Sequence, residues 1–109
     1  MLNKIFLLAL FMLVPLKANK VKAVKSEFTV VHINAKWNRI NDISIPKIPN
    51  CTIRYAFLED QSENMKSTVR YVPTVVLYKG NRAVHQWSAD LSFKLELTRQ
   101  DIEDAINRF

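Results

Sequence analysis

This chain of 109 residues holds one glycine, one cysteine and two histidines. A single glycine rules out glycine-rich phosphate-cradling loops, and the Gly-x-Ser-x-Gly elbow of serine hydrolases is missing. A single cysteine, Cys51, allows no intrachain disulfide and no cysteine-built metal cluster. His32 and His85 are the only histidines, and no histidine is paired with carboxylates at metal-ligand spacing, so neither a metal nor a cofactor is expected. Asp101, Glu103 and Asp104 read as ordinary first-turn acids of a helix, favoured by its dipole.

What is present is enough for one small domain. Apolar residues make up 49% of the chain, sufficient for a core. The formal charge of +6 suggests nucleic acid, but its distribution argues against that partner. Lys4, Lys17, Lys20 and Lys22 fall in the first 23 residues, which contain no acid; the remainder holds twelve basic and ten acidic residues, a net of +2. The excess charge brackets an apolar run instead of forming a basic face. No nucleic-acid partner is expected.

That apolar run is Ile5 to Leu16, preceded by Met1-Leu2-Asn3-Lys4 and followed by Lys17-Ala18-Asn19-Lys20-Val21-Lys22-Ala23. A positive start, a short apolar stretch and small residues after it match a secretory signal peptide. Val21-Lys22-Ala23 is the better cleavage site, Leu16-Lys17-Ala18 the weaker. The run falls short of the roughly 20 apolar residues that span a bilayer. The lysines after it leave an uncleaved anchor open, with membrane contact through residues 5–16. A buried N-terminal element of the fold is the remaining reading. The expected division is therefore residues 1–23 as signal peptide or N-terminal membrane anchor and 24–109 as the domain. The protein would be exported, or held at a membrane by its N-terminus.

Beyond residue 24 the pattern alternates. Residues 27–34 are rich in β-branched and aromatic side chains without helical spacing, a strand buried on both faces around Val30 and Val31. Pro46 and Pro49 forbid a long helix after it, leaving a turn or two near Asn38–Ile45 or an extended loop. Cys51 to Leu58 forms a second strand, with Cys51 a small, partly apolar core residue. Ser62 caps a helix from about Glu63 to Thr68. Val75–Tyr78 and Ala83–Trp87 are two strands joined by a hairpin that uses the single glycine, Gly80, and the last of them lies at an edge. Asp90 to Leu97 is irregular or a short extension of that strand. Thr98 and Asp101 come close to a capping box, opening a helix over 99–108 whose Ile102, Ala105, Ile106 and Phe109 face a sheet.

Two segments carry a resemblance. Val30-Val31-His32-Ile33-Asn34-Ala35-Lys36-Trp37-Asn38-Arg39-Ile40-Asn41 and, later, Val69-Arg70-Tyr71-Val72-Pro73-Thr74-Val75-Val76-Leu77-Tyr78-Lys79-Gly80-Asn81 resemble the thioredoxin family. Its pattern is an apolar strand running into Trp-Cys-Gly-Pro-Cys, then an Ile/Val-Pro-Thr before the next strand. The resemblance covers about residues 27–109. It implies an α/β, thioredoxin-like three-layer fold with a central four-stranded mixed sheet flanked by helices, here with a shortened active-site helix. It also implies a cis bond before Pro73, which would leave Val72 free to pair with an extended peptide.

Here both cysteine positions are asparagine. Trp37, Asn38, Arg39, Ile40 and Asn41 are the degenerate active-site positions, and no catalytic residue is expected. An amide neither ionises near neutral pH nor forms a disulfide, whereas the chemistry of the family needs a thiolate and a resolving thiol. Asn38 suits a helix N-cap, or joins Arg39 and Asn41 in a polar recognition surface. Trp37, Val72, Pro73 and Thr74 are candidates for a peptide groove, and Lys36 and Arg39 either make its mouth positive or are simply solvated. The function expected is a redox-inactive binding or structural module with a protein or peptide partner, an accessory subunit of a larger assembly or an exported protein. The alternatives are a one-Cys redox protein using Cys51 and a chaperone-like peptide binder.

Overall fold

The computed structural model describes residues 27–109. The expected signal peptide or anchor of residues 1–23 lies outside the described residues.

Strand β1, Phe28–Asn34, runs through the middle of the sheet, and every residue but Thr29 is buried. Its run of β-branched and aromatic residues suits a strand covered on both faces. β2, Cys51–Phe57, lies parallel to it on one side; β3, Thr74–Lys79, lies antiparallel on the other, and β4, Arg82–Ser88, completes the order β2-β1-β3-β4. Parallel β1 and β2 need a crossover, and the antiparallel pair β3–β4 needs only a tight turn. Gly80 sits in that turn at φ +60°, a conformation that costs glycine nothing.

Alternate residues feed two cores. Val31, Ile33, Val72 and Val76 pack beneath helix α1, Glu63–Thr68, whose Met65 is fully buried. Val30, Val75 and Leu77 pack with Ile102 and Ala105 of helix α2, Arg99–Arg108, and with Ile45 and Ile48 of the connecting segment. The result is three layers, the expected α/β arrangement of a four-stranded mixed sheet between helices.

The helix starts follow their caps. Ser62 Oγ accepts from the Met65 N–H at 3.2 Å. Thr98 Oγ1 accepts from the Asp101 N–H at 3.1 Å while Asp101 Oδ2 accepts from the Thr98 N–H at 3.0 Å, a reciprocal capping box despite the shorter acid. Phe109 departs from the expected stripe: it follows the last helical residue and is 43% exposed.

The connection after β1 differs in place from the helix expected near Asn38–Ile45. It is a 3₁₀ helix over Lys36–Asn41, kinked at Asn38 (φ −109°, ψ 20°), and the backbone becomes extended at Asp42. The extended chain through Pro46 and Pro49 cannot satisfy its own amides. Strand side chains do so instead: the Ile43 N–H donates to His32 Nε2 at 3.1 Å and the Ile45 N–H to Tyr55 Oη at 3.0 Å. No helix among the described residues is long and apolar enough to cross a membrane.

Candidate functional site

The C-terminal end of β1 delivers Asn34, 1% exposed, into the base of the 3₁₀ helix. Asn34 Oδ1 accepts from the Ala35 N–H at 2.9 Å and from Asn38 Nδ2 at 3.0 Å. Its Nδ2 donates to the Asn38 carbonyl at 2.9 Å and to Asp42 Oδ1. Asn38, 3% exposed, presents its own Nδ2 to three acceptors: Asn34 Oδ1 at 3.0 Å, the Phe93 carbonyl at 3.0 Å and the Val72 carbonyl at 3.3 Å. Two amide hydrogens serve three oxygens, and Val72, the longest, is the weakest. Asn38 Oδ1 accepts from Asn41 Nδ2 at 2.8 Å. Every polar atom of Asn34 and Asn38 is engaged. A satisfied buried network of this kind rigidifies its surroundings, each bond contributing about 1 kcal/mol net.

The expected cap role for Asn38 is therefore corrected. Ala35 stands at the N-cap position with no side-chain bond, and Asn38 lies inside the helix with its amide turned into the protein. An Asn38–Arg39–Asn41 recognition surface does not form either. Asn38 is buried, Asn41 is half-buried and bonded to it, and only Arg39 is exposed, its guanidinium 5.3 Å from the Phe57 ring. Trp37 and Ile40 are the other exposed members, at 66% and 93%.

The Val72–Pro73 bond is cis, as the resemblance implied. Val72, Pro73 and Thr74 are all buried, and Asn38 joins their loop to the Trp37 turn across 34 positions of sequence. The two segments that carried the resemblance thus meet. Phe93 lies between them. Its ring packs edge-on against Trp37 at 5.0 Å and 6.5 Å from Tyr71, and its backbone holds φ +58°. A bulky residue in that region is strained by about 1–3 kcal/mol. Nothing in the irregular stretch 90–97 signalled this covering role; the one local hint is the turn in which Asp90 Oδ1 accepts from the Ser92 N–H at 2.9 Å.

The mouth is less positive than Lys36 and Arg39 suggested. Lys36 Nζ pairs with Asp60 at 3.3 Å, and the Glu59 carboxylate accepts from the Lys36 N–H at 2.9 Å and 3.0 Å. Cys51 lies at the far end of the sheet: it pairs with Phe28, whereas Asn34 pairs with Phe57. Six strand residues separate the two levels, about 20 Å. Cys51 is half-buried, and burial pushes its thiol up from the ordinary value.

Sequence reasoning missed His32. It is 2% exposed, with its ring 5.2 Å from Tyr55. Burial pushes the imidazole below its ordinary 6.5, with nearby Asp42 opposing in part, and the Ile43 N–H requires a neutral Nε2. A cavity of about 150 Å³ adjoins it, lined by His32, Asn34, Asp42, Tyr55, Ala56 and Phe57. Among the described residues no group of three or more His, Cys, Asp or Glu is placed to hold a metal ion.

Solved structures share this fold. A mutant thioredoxin from Halobacterium salinarum superposes with a TM-score of 0.54 at 14% identity over 77% of this chain and 75% of that one. The fold is thioredoxin-like. Fasciola hepatica thioredoxin gives a TM-score of 0.50 at 19% identity, covering 77% of this chain and 82% of that one. A structure from work on thiol resolution in yeast mitochondrial 1-Cys peroxiredoxin via glutathione and thioredoxin systems gives 0.54 at 14% identity, over 85% and 96% of the two chains. No protein-family model matches the sequence, and no curated protein matches it. At these identities the likeness is one of thioredoxin-like fold, and the residues at the site carry any statement about chemistry.

Proposed function

We propose that this chain is a redox-inactive thioredoxin-like module that acts by shape, as an accessory subunit or binding partner in a larger protein assembly. The supporting observation is the state of Asn38. An amide stands where a thioredoxin's first thiol would stand, and its hydrogens hold the cis-proline loop and Phe93 in place. No thiol takes part in that network, and disulfide exchange requires a thiolate.

The one-Cys alternative is disfavoured, because Cys51 lies at the opposite end of the strands and burial keeps its thiol protonated. Peptide capture at Trp37, Val72, Pro73 and Thr74 would have to displace Phe93 and compete with Asn38 for the Val72 carbonyl. A protein partner meeting exposed Trp37, Ile40 and Leu91 needs no such opening. Export, or tethering through residues 5–16, belongs to the same proposal and rests on the N-terminal sequence.

An insulin-reduction assay tests the central point. We expect no turnover above the uncatalysed rate. Turnover that persists in Cys51→Ser would overturn the reading, and turnover lost in Cys51→Ser would move it to the one-Cys alternative. Mass spectrometry of the native protein reports export with cleavage by an N-terminus at Val24.

A further inference from the structure

Of the asparagines in this chain, Asn50 alone is followed two positions on by a serine or threonine, in Asn50-Cys51-Thr52, and the residue between is not proline. That triplet is the acceptor signature of N-linked glycosylation, which belongs in a surface loop of an exported protein. The first 23 residues read as an export signal. The triplet lies outside the Asn34–Asn38 network.

The fold puts Asn50 where an acceptor has to be. The extended segment through Pro46 and Pro49 ends in a turn at 49–50, and β2 begins at Cys51. Asn50 is exposed and sits at φ +58°, a left-handed conformation in which asparagine is enriched. Its carbonyl accepts from the Phe28 N–H at 3.4 Å and its Oδ1 from the Glu27 N–H at 3.3 Å, which ties the turn to the start of β1. In both contacts Asn50 is the acceptor. Its Nδ2, the atom that would carry a sugar, donates to no group among the described residues. A substituent there breaks no hydrogen bond and enters no core. Asn34 and Asn38, by contrast, are buried with their amide nitrogens engaged.

We propose that Asn50 carries an N-linked glycan. The proposal rests on the export reading, since the donor, a lipid-pyrophosphate-linked oligosaccharide, is used on the lumenal side of a secretory membrane. Nδ2 forms a bond to the anomeric carbon of the first sugar and gives up one proton. The bond from that carbon to the pyrophosphate oxygen breaks, and the lipid pyrophosphate leaves with its electron pair. Nothing is oxidised or reduced. The glycan stands at the Cys51 end of the strands, six residues or about 20 Å from the level of Asn34. It leaves Trp37, Ile40 and Leu91 open to a protein partner. It also stands beside the lone, half-buried Cys51, the one thiol through which two copies could cross-link in an oxidising compartment.

The test is expression of the full chain from Met1 in a eukaryotic secretory cell. Cells and medium are read together, so that a variant that folds badly is still scored. Gel mobility and peptide mass spectrometry are compared before and after peptide-N-glycosidase, which leaves aspartate where a glycosylated asparagine stood. The chain should run slower than its unmodified mass predicts, the enzyme should erase that shift, and the aspartate mark should fall on Asn50. Asn50→Gly suits the positive φ and removes the acceptor nitrogen, so it should lose the shift. Thr52→Val keeps a β-branched strand residue and should lose it as well, whereas Thr52→Ser keeps the hydroxyl and should retain it. A secreted chain that begins at Val24 with Asn50 bare overturns this proposal and leaves export standing. A bare chain that still begins at Met1 overturns the export reading and this proposal with it. A shift that survives in Thr52→Val, or a mark on another asparagine alone, also overturns the assignment.

Discussion

Two of the places where the described residues bury primary amides differ in one respect. At the end of β1, Asn34 and Asn38 are 1% and 3% exposed, and each polar atom has a partner. On β4, Gln86 is 7% exposed and its oxygen has none. Burial of an amide therefore says little about its role. The completeness of its hydrogen bonds separates an amide that holds a fold together from one that adds little to it.

The largest effect should come from breaking the satisfied network. Asn38→Ala takes their amide donor from the Phe93 and Val72 carbonyls, leaves Asn34 Oδ1 with the Ala35 N–H alone, and should cost about 3 kcal/mol in urea unfolding. Gln86→Met removes an amide with little to lose and should leave stability within about 1 kcal/mol, or raise it. If the two substitutions cost the same, the contrast between the sites is wrong.

Next in size is Phe93→Ala. It removes the ring that covers Trp37 and relieves little, because alanine also resists φ +58°. A loss of about 1–2 kcal/mol is expected, with a red shift of Trp37 fluorescence as the ring gains water. An unchanged emission spectrum would show that Phe93 does not shield Trp37.

A smaller, pH-dependent effect belongs to His32. Its folded pKa lies below 6.5, so the unfolded chain binds more protons between that value and 6.5. The stabilisation it brings is complete above pH 6.5 and falls as pH drops toward the folded pKa, where the Ile43 N–H loses its acceptor. His32→Gln should flatten that part of the profile of unfolding free energy against pH. A profile rising toward acid in the native chain would contradict the buried neutral imidazole. The smallest effect is at Cys51. Cys51→Ser should change stability by about 1 kcal/mol or less, and the native thiol should react slowly with a thiol probe and rapidly once unfolded. Rapid native labelling would revive the one-Cys alternative.

Much of the fold was legible in the residues. The apolar run of β1 marked a central strand, Ser62 and Thr98 marked both helix starts, and Gly80 marked the hairpin. Pro46 and Pro49 excluded the long helix, although the short one sits two residues earlier than Asn38 and ends at Asn41. The site was legible in part. The Trp37 turn and the Pro73 loop were placed together on a resemblance, and Asn38 joins the two through the Val72 carbonyl. Asn38 was misread as a cap, because a short polar residue at a turn has that local use, and its actual partners lie 34 and 55 positions away. Phe93 and His32 escaped notice for the same reason: an irregular stretch and a lone histidine in a strand carry no periodic signal.

Strand and helix identity, caps, the turn and the absence of a thiol pair follow from the amino-acid order alone. They depend on interactions between residues a few positions apart, or on atoms that a side chain does or does not possess. The inward turn of Asn38, the cover provided by Phe93, the neutral state of His32 and the unmet acceptor on Gln86 were decided only by tertiary structure. Each depends on which distant groups share a buried volume with it, and in a dry interior a hydrogen-bond partner made or missing outweighs local preference.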